Sequence, residues 1–121
     1  MGVQRVKFIN HLGKDIMHLD FSDASIEELL AAIAEGTRVI ASRPASSVLT
    51  LTDVTNARFN DDVSQKLKEF TTHNKPYVRA AAVIGVHGLK KIIFEAVMIF
   101  SRRKLHAFDT IELAKDWLAK Q

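Results

Sequence analysis

Three short stretches concentrate the side chains able to do chemistry. Asp53, Thr55 and Arg58 follow one apolar run. His87 sits between Gly85 and Gly88 after a second, with Lys90 and Lys91 just behind. Asp109 and Thr110 follow a third. In open α/β sheets, ligands bind beyond the carboxyl ends of the parallel strands. Asp53, Thr55, Arg58, His87 and Lys90 are therefore the candidate ligand-binding residues of a shared polar cleft. Free amides at the start of a helix near Gly88, next to Lys90 and Lys91, suit a small anion. The Gly-x-x-Gly spacing lacks the surroundings of a nucleotide-binding loop, and plain strand-to-helix turn chemistry accounts for the same residues.

Catalysis has thinner support. Asp53 and His87 with Thr55 or Ser64 would supply the parts of a hydrolase-type nucleophilic set, but no Gly-x-Ser-x-Gly elbow accompanies them. The five histidines, at 11, 18, 73, 87 and 106, show no close metal-ligand spacing. The chain has no cysteine, which excludes disulfides, thiolate zinc sites and thiol nucleophiles. No catalytic residue, metal or cofactor is expected. His18 and His106 read as structural histidines on strands with their hydrogen bonds satisfied.

The chain has 121 residues, 47% hydrophobic and 26% charged, the make-up of one globular domain, here residues 1–121. Its charge is uneven. Residues 1–74 carry 8 basic and 10 acidic side chains, and residues 75–121 carry 9 and 4, giving −2 and +5. Lys90, Lys91, Arg102, Arg103 and Lys104 supply most of the excess, and such a face attracts phosphates or an acidic partner. Aromatics are not interleaved with these cations as nucleic-acid binding requires, so no nucleic-acid partner is expected. The apolar run Ile92–Phe100 contains Glu95 and falls well short of the roughly 20 residues that a membrane span needs. Met1–Asn10 lacks the pattern of a signal peptide, so a cytoplasmic protein without a transmembrane segment is expected.

The elements that must position these residues follow from periodicity. Val3–Ile9 and Ile16–Phe21 read as an antiparallel hairpin. In the second strand Met17, Leu19 and Phe21 share one face, and Ile16, His18 and Asp20 share the other. Ser25 and Glu28 form a capping box ahead of the stripe Ile26, Leu29, Leu30, Ile33 and Ile40, which Gly36 weakens. Val48–Val54 is a strand. Asn60 caps a helix whose Val63, Leu67 and Phe70 face inward. Tyr77–Ile84 reads as a strand buried on both faces. A helix follows from Gly88 to Arg102, then a short strand Leu105–Phe108. Asp109 is expected to cap a last helix carrying Ile111, Ala114 and Leu118. The fold class is α/β: a single mixed, mostly parallel sheet with an N-terminal hairpin and four helices, in the order β-β-α-β-α-β-α-β-α.

This order resembles the STAS domain, in particular small bacterial stand-alone members described as SpoIIAA-like (anti-sigma-factor-antagonist-like) or STAS/SEC14-like. Ser47–Phe59 resembles the family's central strand and following loop, and Asn74–Arg79 and Val86–Lys91 resemble its later blocks. The likeness runs from about Ile16 to Leu118 and implies a regulatory protein-interaction domain. Antagonist members carry an Asp-Ser-Ser-Gly-like phosphorylation motif where this chain has Asp61-Asp62-Val63-Ser64. The two serines are replaced, so no phosphorylation switch is expected, with Ser64 as the remaining candidate.

The helix from Gly88 to Arg102 carries the sharpest expectation. Leu89, Ile92, Ile93, Ala96, Val97 and Phe100 fill a core stripe at helical spacing. Phe94 and Met98 then fall on the opposite side with Lys91 beside them, and Ile99 widens the apolar arc. Phe94, Met98, Lys91 and Ile99 are accordingly the candidate interface, unless a neighbouring helix of the same chain covers them. The expected function is a non-enzymatic STAS-like regulatory or interaction module. Its partner is a second copy in a homodimer, or another protein. A carrier or sensor of a small anionic or lipophilic ligand, suggested by the resemblance, is the alternative.

Overall fold

The computed structural model describes residues 4–121. The Val3 start expected for the first strand lies outside them. The elements are β1 (Val6–His11), β2 (Lys14–Asp20), α1 (Ile26–Ile40), β3 (Val48–Asp53), α2 (Asp61–Asn74), β4 (Val78–Ile84), α3 (Leu89–Ser101), β5 (His106–Phe108) and α4 (Ile111–Ala119). They form one five-stranded sheet ordered β1-β2-β3-β4-β5. The first pair is antiparallel and the other three are parallel. The α/β class, mixed sheet and element order are those read from the sequence.

Sheet order decides where the helices go. Each parallel crossover advances one strand in the same direction, and right-handed crossovers of that kind put every connecting helix on one face. Leu29, Ile33 and Ile40 of α1, Val63, Leu67 and Phe70 of α2, and Phe94 and Val97 of α3 accordingly bury against Met17, Leu19 and Val83 in one core. α4 follows the edge strand and turns back beneath the other face. There Ala114 and Leu118 pack on Ile16, Leu49, Leu51, Ala82 and Ile84.

Local signals mark the helix starts. Ser25 and Glu28 form the reciprocal capping box, and the Asn60 side-chain oxygen Oδ1 accepts from the Val63 amide at 2.8 Å. α1 continues through Gly36 instead of breaking. A Cβ there would lie 3.0 Å from Cζ of Phe70, so the missing side chain leaves room for the Phe70 ring of α2 against α1. At α4 the cap is Thr110, whose hydroxyl accepts from the Leu113 amide, and not the expected Asp109. Both residues are good caps, and the helix starts one position later. Among the described residues, no helix is long and apolar enough to cross a membrane.

Candidate functional site

At the carboxyl end of the parallel strands, the chain ends are laced together by backbone bonds from Phe21 to Asp53 and from Val54 to Ile84. The Asp53 carboxylate accepts from the Thr55 amide at 2.9 Å and from its hydroxyl at 2.6 Å, a local turn that uses the acid where it stands. Lys90 points inward and donates from Nζ to the Val54 carbonyl at 2.8 Å. Its ammonium sits 5.7 Å from the Phe59 ring. Burial lowers the Lys90 pKa, opposed by the charge of Asp53. Asp53, Thr55 and Lys90 thus form a knitted rim, while Arg58 and His87 are exposed in the loops of the same end. Among the described residues, the cavities between α1 and α2, beneath α3 and at the amino end of the sheet are lined by other side chains than these five. Ser64 lies in the first turn of α2, beside an inward-facing Val63.

On α3 the structure reverses the expected orientation. Phe94 is only 5% exposed and Val97 is fully buried. The Phe94 ring packs 6.2 Å from that of Phe59, and Met98 is half-buried with its sulfur accepting from the Leu105 amide at 3.3 Å. Phe94 is therefore a core residue and not an interface residue. Leu89, Ile92 and Phe100, assigned to the core from spacing, stand in solvent with 78%, 64% and 53% exposure, and Ile99 joins them at 79%. Lys91 and Glu95 are exposed along the flank of α3 that borders Phe94 and Met98.

The rotation has a physical cause. α3 is apolar nearly all round, so two stripes satisfy helical spacing. The inward one runs Lys90, Phe94, Val97 and Ser101, with two polar members that sequence reasoning places in water. Lys90 is satisfied by the Val54 carbonyl, and the Ser101 hydroxyl donates to the Val97 carbonyl at 2.7 Å. With those bonds made, Ser101 is buried at little cost, and Lys90, only half-buried, keeps water for its other donors. The outward stripe is then Leu89, Ile92, Ala96, Ile99 and Phe100. Its spacing is helical in the sequence too, but spacing alone does not say which of the two stripes meets the sheet.

The basic cluster is thinner than its sequence suggests. Arg103 is half-buried and donates from Nη1 to the Thr71 carbonyl at 3.1 Å, with burial pushing its pKa down to about 10. Lys91, Arg102 and Lys104 remain exposed.

Of the two strand histidines, His106 packs at a tilt against Trp117 with ring centroids 4.4 Å apart. His18 departs from expectation: its buried Nε2 has no hydrogen-bond partner among the described residues. Burial lowers the His18 pKa, with Asp20 and Asp53 opposing and Lys7 and Lys115 assisting. A histidine depressed in the fold adds stability that is complete above its unfolded pKa, roughly 6.5, and is lost as pH falls below it. Urea unfolding should therefore show a lower midpoint at pH 5.5 than at pH 7.5. The drop should shrink in His18→Leu, and an equal drop in both proteins would remove His18 as its source.

No family model, curated protein or solved structure matches this chain.

Proposed function

We propose that this chain is a non-enzymatic, STAS-like interaction module of the cytoplasm that docks through the outward face of α3, with a second copy as its partner. One observation carries the reading. Four large apolar side chains on a single helix, Leu89, Ile92, Ile99 and Phe100, are more than half exposed, although α3 already has a complete inward stripe. Large apolar patches of this kind on a folded domain mark interaction surfaces. The element order shared with STAS domains, and the absence of a paired-serine motif after β3, favour docking over a phosphorylation switch. The test is the double variant Ile92→Asp/Ile99→Asp. Both positions are solvent-facing, so the circular dichroism spectrum should stay native while the mass from light scattering falls to that of a monomer. Unchanged association would sink the reading.

A second reading, a carrier of a small apolar or anionic ligand, is favoured by a cavity of about 200 Å3 beneath α3. Phe94, Met98, Val83 and Leu105 line it, with Lys91 and Glu95 also on its wall. A co-purifying small-molecule mass in native mass spectrometry, lost on Met98→Trp, supports the carrier; a bare chain speaks against it.

A further inference from the structure

Resting on the docking role of α3, we infer that the second copy packs antiparallel, α3 against α3, about a two-fold axis near residue 94. Leu89, Ile92, Ala96 and Ile99 are spaced by three, four and three residues, the a/d alternation of a coiled-coil seam. The midpoint of that seam falls at residue 94. An axis there brings Leu89 against the partner's Ile99 and Ile92 against the partner's Ala96, and each pairing occurs twice. Every layer is apolar, and the small Ala96 lets the backbones approach beside the bulky Ile92.

The two flanks of the seam differ in chemistry. Lys91 and Glu95, both exposed, lie one turn apart along one flank. No salt bridge joins them within the chain among the described residues. Phe100 forms the other flank, beside a half-buried Ile93 that packs on the chain's own core, with the Lys68 ammonium 5.8 Å from the Phe100 ring. In a parallel helix pair each flank faces the opposite flank of its neighbour, which would set Glu95 against apolar side chains. In an antiparallel pair like flanks meet. The apolar flanks then bury each other, and Lys91 comes within a turn of the partner's Glu95 on both sides of the axis. The two Glu95 side chains also approach each other across the axis, but the two Lys91–Glu95 cross-pairs outnumber that single repulsion. The parallel pair instead sets each Glu95 against apolar side chains, so the balance of charge favours the antiparallel arrangement. The interface is isologous and closes at two copies. Stable interfaces bury roughly 800 Å2 per partner, and a single helix face supplies less, so monomer and dimer exchange with concentration.

The experiment is a charge reversal read by sedimentation equilibrium. Lys91→Glu leaves four acidic groups along the paired flanks and should weaken the dimer about tenfold, as should Glu95→Lys with four basic ones. The double variant Lys91→Glu/Glu95→Lys restores complementarity and should recover the original dissociation constant within about twofold. Recovery in the double variant establishes the antiparallel register. Single reversals without effect, or a double variant as weak as either single one, overturn the register. In that case loss of the dimer in Ile92→Asp/Ile99→Asp still upholds the docking face. Persistence of the dimer in that variant overturns both.

Discussion

Phe94→Ala should lower the unfolding free energy by about 3–5 kcal/mol, the usual cost of emptying a phenylalanine site in a core. Ile99→Ala, five residues along the same helix, should change it by less than about 0.5 kcal/mol when measured on dilute monomer. The contrast follows from the rotation of α3. Phe94 closes the core between α3, Phe59 and the sheet and lines the cavities on either side of it. Ile99 has no such neighbours and is 79% exposed. Domains of this size hold only about 5–15 kcal/mol in total, so the loss at Phe94 removes a large share, and Phe94→Asp should not fold at all. Urea titration reads the difference through the unfolding midpoint at constant slope. Equal costs at the two positions would mean that α3 does not present the face described.

Gly85→Ala should be nearly as damaging for a different reason. The backbone at Gly85 has φ +82°, which costs a residue with a side chain roughly 1–2 kcal/mol. A Cβ there would also lie 2.5 Å from the backbone nitrogen of Thr55 and 2.7 Å from its Cα. These are main-chain atoms of a loop already held by the Asp53–Thr55 turn and the Asp23–Thr55 backbone bond, so they cannot yield as the end of a side chain can. The summed cost should exceed about 3 kcal/mol and lower the melting temperature by more than about 10 °C. Gly13→Ala separates the two causes: its φ is +81°, but a Cβ would meet nothing within 4 Å. Only the conformational cost applies there, about 1–2 kcal/mol. Similar melting temperatures for the two variants would show that the Thr55 loop moves aside easily.

What the sequence reveals and what it hides separate at the level of the neighbour. Element order is legible because each signal is local. Ser25 with Glu28, Asn60 ahead of Val63, and the alternation of Ile16, Met17, His18 and Leu19 each name their own structure within a few residues. The side of α3 that packs is not local. Nine of its thirteen residues are apolar, and the choice between its two stripes depends on Phe59, Val83 and the Val54 carbonyl, all distant in sequence. Lys90 and Ser101 mislead for the same reason, since the bonds that permit their burial come from the fold. The cleft residues show the same division. Asp53, Thr55 and Lys90 do share one end of the sheet, as the strand pattern requires, but their polar atoms are already engaged with one another's loops. His18 sits on the face its alternation demands, and its lack of a partner is visible only once Leu51 and α4 enclose it.

Sedimentation velocity on the unmodified chain over a wide dilution series tests the central claim most directly. The outward seam of α3 predicts a sedimentation coefficient that climbs with concentration from the monomer limit toward the dimer limit, and no further. A single monomeric boundary at every concentration would contradict self-association through α3.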